Sequence, residues 1–297
     1  MNSVERRRIN AADGRTLEVQ VAGPEEGVVL LFHHGTPAGG LPSPGLLAAA
    51  TERGLRYVGA ARPGSASSAR RPGRSIADVA EDAAAVLGHL GADRCYTLGW
   101  SGGGPHTMAC AALLPDRVIA AATMGSVAPY GVPGLDFLAG MGRENIDEFG
   151  AALAGSAALT RFLEAWAPEF RGVTGGQLAD ALGDLVPPVD RAALTGEFAE
   201  SVAADIRHSL EDGIWGWHDD DLAFVAPWGF DLEAIRVPLT IWHGEQDRMV
   251  PVAHGAWLAD HVPGVRAHLL AAHGHLSLAV SSIGSVLDDL VANGTER

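Results

Sequence analysis

Ser101 stands in Gly99-Trp100-Ser101-Gly102-Gly103, a G-x-S-x-G pentapeptide that sets one nucleophilic oxygen among residues small enough for the backbone to close around it. A serine hydroxyl attacks a carbonyl only when a base takes its proton and donors receive the oxyanion that forms. The apolar run Cys95 to Leu98 before it reads as a strand, and a helix is expected to begin near Gly104. A serine at so sharp a strand-to-helix turn needs strained backbone angles, and its small neighbours let strand and helix approach without Cβ clashes. The turn lies at a helix N-terminus, where the backbone N–H of Gly102 is available to an oxyanion. The 38 glycines make a chance match to the pentapeptide easy, so its place between strand and helix is what makes it informative.

A second loop bears on the same oxyanion. His34-Gly35-Thr36-Pro37 follows the buried-strand run Val28 to Phe32, where a loop can bring a further N–H, that of Thr36, to the reacting carbonyl. Each such donor is worth about 3 kcal/mol of transition-state stabilisation. Trp100 and Gly35, beside the two loops, and Trp228, far along the chain, are candidates for the substrate-binding wall.

These residues need elements to hold them, and the chain alternates strand-like and helix-like segments. Two short strands flank Asp13-Gly14, which reads as a hairpin turn. After Val28 to Phe32 come a helix at Leu46 to Arg53 and a strand at Leu55 to Ala60. Ser75 to Leu90, Cys95 to Trp100, Pro105 to Leu114 and Val118 to Met124 follow as helix, strand, helix and strand. From about Ala128 to Leu232 no buried strand is evident, but Ile146 to Leu153, Ala158 to Trp166 and Gly196 to Leu210 have amphipathic helical patterns. The alternation resumes at Val237 to Trp242, Val252 to His261, Arg266 to Leu270 and Leu276 to Val291. The expectation is an α/β fold, a mostly parallel sheet with helices on both faces. Residues 1–127 and 233–297 form its core, and 128–232 an inserted helical lid.

The order of these elements and motifs resembles the α/β-hydrolase superfamily, in which the nucleophile turn is followed in sequence by an acid and then a histidine. The resemblance implies an α/β-hydrolase fold and identifies Asp247, in Trp242-His243-Gly244-Glu245-Gln246-Asp247, as the acid. It identifies His275, in His273-Gly274-His275-Leu276, as the base. Ala61-Arg62-Pro63-Gly64-Ser65 resembles another family loop, with Arg62 in a structural part. His273 is the rival base; a glycine before and an apolar helix after match the family better at His275. His34 is assigned to the oxyanion loop, His106 to a first helical turn and His243 to a strand end. Glu245 is the rival acid, while Asp219, Asp220 and Asp221 read as a solvated acidic turn. Some members carry the acid after the strand that follows the nucleophile helix, but no carboxylate stands near Ser126 to Pro129. In the implied mechanism neutral His275 takes the Ser101 proton, Asp247 holds the tautomer, and water releases the acyl group.

Composition narrows the partners. The 21 basic and 36 acidic residues give a formal charge of −15, spread along the chain, which disfavours nucleic acid and anionic membranes. Cys95 and Cys110 read as reduced core residues. The Arg6-Arg7-Arg8 start lacks the apolar run of a signal peptide, and no later run is long enough to span a bilayer; a soluble, cytoplasmic protein is expected. No His, Asp or Cys grouping has metal-site spacing, and no cofactor is called for. The expected partner is a small-molecule substrate, largely apolar because aromatics abound in 128–232. Met141 to Asn145 and Pro227 to Asp231 resemble a bacterial subgroup near the proline iminopeptidase-like members, which leaves ester, amide and N-terminal peptide bonds all open. Acyl transfer to another acceptor, or peracid formation as in cofactor-free haloperoxidase-like members, keeps the same three residues. Dehalogenases and epoxide hydrolases of this fold carry Asp at the nucleophile position, so Ser101 disfavours both. A non-catalytic ligand receptor on the same scaffold is the reading from another class.

Overall fold

The computed structural model describes residues 4–295; the first three and last two residues of the expected core lie outside the described residues. The chain opens with β1 (Glu5–Asn10) and β2 (Thr16–Ala22), an antiparallel hairpin in which Asn10 faces Thr16. Gly14 turns it with φ +85°, the left-handed value a glycine adopts without steric cost. Then follow β3 (Val28–His33), α1 (Pro44–Glu52), β4 (Leu55–Ala60), α2 (Val79–His89), β5 (Cys95–Trp100), α3 (Gly103–Leu113) and β6 (Val118–Met124). The helical insertion comprises α4 (Arg143–Leu153), α5 (Ser156–Gly172), α6 (Gly175–Ala181), α7 (Pro188–Ala193), α8 (Gly196–Ser209) and α9 (Trp215–Phe224). The chain ends with β7 (Leu239–Gly244), α10 (Val252–His261), β8 (Arg266–Leu270), α11 (His275–Ser281) and α12 (Ile283–Thr295).

The eight strands form one sheet in the order β1-β2-β4-β3-β5-β6-β7-β8. From β4 to β8 every pairing is parallel, while β2 meets both β1 and β4 antiparallel. Apolar runs in β3, β5 and β6 are explained by burial on both faces. Ala83, Val86 and Leu87 of α2, Met108 of α3 and Leu258 of α10 cover one face. Leu46 and Ala49 of α1 with Val286, Leu287 and Leu290 of α12 cover the other. β6 and β7 pair directly, Ala121 with Leu239 and Met124 with Trp242, so the insertion leaves the carboxyl end of one strand before its neighbour is laid down. Leu159, Leu163, Leu178 and Ala203 give the insertion its own core.

Two expectations need correction. The expected single helix over 276–291 is two, α11 and α12, bent by 68° at Ser282. Ser281 Oγ donates to the Ser277 carbonyl at 2.7 Å, so side-chain hydroxyls compete with the backbone ladder where the helix breaks. The acids Asp219, Asp220 and Asp221 do not form a solvated turn: they lie in α9 with exposures of 3, 1 and 1%. Arg70 reaches Asp219, and Arg62 and Arg74 reach Asp220, from distant parts of the sequence, a pairing that local pattern does not encode. The patterns at 146–153 and 158–166 fall within α4 and α5, and that at 196–210 covers α8 and its C-cap Leu210, whereas α6, α7 and α9 have no clear apolar period. Among the described residues no single helix is long and apolar enough to cross a membrane.

A Cβ on Gly103 would overlap the His33 carbonyl oxygen, backbone that cannot move aside, whereas one on Gly150 in α4 meets nothing within 4 Å. Gly103→Ala is expected to cost about 3 kcal/mol through overpacking. Gly150→Ala should stabilise by about 0.5–1 kcal/mol through helix propensity. Urea unfolding of the two variants checks the contrast.

Candidate active site

The turn after β5 fixes Ser101 at φ +56°, one of two non-glycine residues with positive φ among those described. Its backbone is tied down on both sides: Ser101 N–H donates to the Met124 carbonyl at 2.8 Å, and its own carbonyl accepts from Gly104 N–H at 2.9 Å. Glycine is needed around it because a Cβ on Gly103 would strike the end of β3 and one on Gly104 would strike Ser126 beyond β6. Ser101 is thus wedged between the carboxyl ends of β3 and β6, at the start of α3.

His275 opens α11, and its Nδ1 lies 2.6 Å from Asp247 Oδ2. The other Asp247 oxygen accepts from the backbone N–H groups of Met249 at 2.9 Å and Val250 at 2.8 Å, which aims the carboxylate. Such a carboxylate selects the Nδ1–H tautomer and leaves Nε2 to accept a proton. Burial works against a charged His275 ring, but the Asp247 charge and hydrogen bond, aided by Asp190, outweigh it and raise the proton affinity above the ordinary histidine value. Trp100 stacks on the ring with centroids 5.5 Å apart. Beneath it lies Gly125 (φ +56°), where a Cβ would come within 2.8 Å of Nδ1. The strand end that lacks a carboxylate in the sequence is therefore the floor of the histidine site.

The rivals serve elsewhere. Glu245 is exposed. The His273 carbonyl accepts from Gln246 N–H at 2.9 Å, a main-chain role. His106 Nδ1 bonds the Gly102 carbonyl at 2.8 Å, and burial holds this ring neutral. His243 Nε2 donates to the Val250 carbonyl at 2.7 Å.

The loop His34 to Thr36 lies against Ser101: the Cβ direction of Gly35 points to within 3.9 Å of Ser101 Oγ, and that of Gly102 to within 2.7 Å of Thr36 Oγ1. Arg62 holds this loop. Its guanidinium donates to the carbonyls of His34 at 2.6 Å and Gly35 at 2.8 Å, and to Thr36 Oγ1 at 2.9 Å. His34 Nδ1 donates to the Gly35 carbonyl at 2.7 Å and Nε2 accepts from Arg62 N–H at 3.1 Å, fixing a neutral ring. The charge of Arg62 is met by Asp220, at 2.6 Å, which also bonds Thr36 Oγ1 at 2.7 Å and Arg74 at 2.5 Å. Burial opposes the Asp220 charge, but the two arginines outweigh it and hold the carboxyl far below the usual range. Asp219 pairs with Arg70 at 2.8 Å, whose guanidinium lies 3.9 Å over the Trp215 ring.

Ser101, His275, Trp100, Gly35 and Thr36 line one cavity of about 160 Å³, closed on the insertion side by Trp166, Phe170, Phe198 and Trp217. Trp228 does not belong to it. Its ring is buried in the cluster between the sheet and α2–α3, stacked on Phe230 at 5.9 Å, and its carbonyl accepts from Ala77 N–H. An aromatic in the insertion can fill either core, and sequence does not say which. Sequence reasoning also missed Asp220 and Asp190; the one local hint is that Asp219 to Asp221 lead into the apolar Leu222 to Val225, as an inward-facing helix does. Among the described residues no group of His, Cys, Asp and Glu could hold a metal ion.

The profile of the alpha/beta hydrolase fold family matches residues 28–281. The chain belongs to that family. This α/β hydrolase is 29% identical over 250 residues to a non-heme haloperoxidase of Rhodococcus erythropolis, covering 84% of each chain. It is 26% identical over 254 residues to a non-heme chloroperoxidase of Streptomyces lividans, again covering 84% of each. The bromoperoxidase of Bacillus anthracis superposes with TM-score 0.70 over 97% of this chain and 100% of that one at 20% identity, a likeness of fold.

Removing Asp220 strands two buried guanidiniums. Asp220→Asn is expected to cost about 3–5 kcal/mol, as for other broken buried pairs. Arg143→Ala, which removes an exposed pair with Asp147, should leave the stability essentially unchanged. Denaturant midpoints of the two variants test the difference.

Proposed function

We propose that this α/β hydrolase is a serine hydrolase that cleaves a carboxylic ester or amide bond of a small, largely apolar substrate through an acyl-enzyme. The observation that carries this reading is the Asp247–His275 hydrogen bond set on the wall of the cavity that Ser101 lines. Ser101 Oγ attacks the carbonyl carbon while His275 Nε2 takes its proton; the carbonyl oxygen becomes an oxyanion between the N–H groups of Gly102 and Thr36. The imidazolium then protonates the leaving alcohol or amine, and water, deprotonated by His275, frees the acyl group. Leu46, Met124, Phe170 and Ile206 supply apolar wall, and neither Lys nor Arg lines the cavity, which favours an uncharged acyl group over an anionic one. The helical insertion acts as the lid over it.

The two peroxidase-named relatives favour a second reading for the same acyl-enzyme. Hydrogen peroxide in place of water attacks the acyl carbon, Ser101 leaves, and a peracid is released. Product analysis with and without peroxide separates the two.

Ser101→Ala should abolish turnover of short p-nitrophenyl esters and labelling by a fluorophosphonate. Ser101→Gly should be equally inactive yet about 1 kcal/mol more stable than wild type, because φ +56° suits glycine. Full activity in either variant removes Ser101 from the chemistry.

A base must be neutral, and the His275 proton affinity lies above the ordinary value of 6.5. The kcat/KM of the wild type should therefore fall as pH drops through a midpoint above that value. A profile that stays flat down to about pH 5 is incompatible with His275 as the base.

A further inference from the structure

The insertion touches the histidine site through one carboxylate. Asp190, in α7, is 0% exposed and lies at the start of α11. Its Oδ2 accepts the backbone N–H of His275 itself at 2.8 Å. Its Oδ1 accepts from Leu276 N–H at 3.1 Å, Ser277 N–H at 2.8 Å and Ser277 Oγ at 2.7 Å. Ser277 Oγ in turn accepts from Gly274 N–H at 2.8 Å. Gly274 makes room for this arrangement, since a Cβ there would come within 2.5 Å of the Asp190 carboxylate. Four donors of one helical turn thus converge on a carboxylate from a different part of the fold. Local sequence does not supply this cap: the residue before His275 is a glycine without a side-chain acceptor.

We propose that Asp190 is a positioning residue for His275, through which the insertion sets the backbone of the base and places a second carboxylate beside it. The inference rests on the reading of His275 as the base. Because Oδ2 bonds the His275 main chain, a shift of α7 moves the imidazole relative to Ser101. The groups facing His275 come from several elements: Asp247 from the loop after β7, His243 of β7 at 3.7 Å from Asp247 Oδ2, Asp190 from α7, and the uncharged Trp100 and Gly125 from β5 and the end of β6. Asp190 is the insertion's contribution to that set, and it favours the imidazolium formed in the reaction.

Asp190→Asn and Asp190→Glu in the full chain, with His275→Gln as reference, test this on a short p-nitrophenyl ester. In Asp190→Asn the amide faces a backbone N–H that it cannot accept through nitrogen. Its kcat is expected to fall roughly 10- to 100-fold with KM nearly unchanged, as for a small displacement of a reacting group. The acidic midpoint of its kcat/KM should move down because a negative charge beside His275 is gone. Asp190→Glu keeps the charge and displaces it, so kcat should fall while the midpoint stays. Circular dichroism confirms that each variant is folded; if Asp190→Asn is not, Asp190→Glu decides, and wild-type kcat there overturns the proposal. A folded Asp190→Asn with wild-type kcat, or with lowered kcat at an unmoved midpoint, overturns it as well. Full activity in His275→Gln overturns the parent reading and this one together, whereas an inactive His275→Gln beside an unaffected Asp190→Asn sinks Asp190 alone.

Discussion

The site is organised by the backbone of Ser101, held at φ +56° where a side chain costs energy. That conformation persists because its surroundings leave no alternative. The N–H of Ser101 is taken by the end of β6, its carbonyl by Gly104, and Gly103 lies against the end of β3 too closely for any Cβ. Three neighbouring strands therefore fix one oxygen at the carboxyl edge of the sheet. The strain is local, and the parallel pairing of β3, β5 and β6 overdetermines it.

Around that point the insertion is anchored by buried carboxylates rather than by apolar contact alone. Asp220 neutralises Arg62, and Arg62 holds the carbonyls of His34 and Gly35, so α9 is tied to the loop beside Ser101. Asp190 caps α11, so α7 is tied to the turn that carries His275. Both links are fully desolvated, and each carboxylate keeps its charge or its hydrogen bonds only if the insertion sits in one place. Apolar packing tolerates sliding; a buried carboxylate facing four fixed donors does not. The cavity between these anchors is consequently of fixed shape at the Ser101 end, and beyond it mostly apolar with Glu144, Glu148 and Asp205 in its wall.

Much of this arrangement is legible in the order of the amino acids. The bounds of β4, β5 and β6 coincide with the apolar runs that announce them, because strands buried on both faces in a parallel sheet carry continuous hydrophobic residues. The pentapeptide at Ser101 and the loop at His34 can be read because glycine at close backbone approaches leaves a mark in sequence. Asp247 and His275 follow from their resemblance to family loops after strand ends, and folding brings them to 2.6 Å.

The rest is invisible there for a physical reason. Asp219, Asp220 and Asp221 look like a solvated turn because three adjacent acids without nearby bases normally seek water; Arg62, Arg70 and Arg74 lie about 150 residues earlier and meet Asp219 and Asp220 only after folding, while Asp221 lies against Glu148. Trp228 and Trp217 are alike in composition and region, yet one packs under the sheet and the other faces the cavity. Asp190 has no pattern around it at all, since its four partners belong to α11. The sheet, the sharp turn at Ser101 and the chemical types at the site can be read from the order of residues, because they depend on local period and backbone geometry. Which charges are neutralised, which aromatics face the cavity and what holds His275 are settled only by folding, because those depend on contacts between segments whose separation along the chain carries no signal.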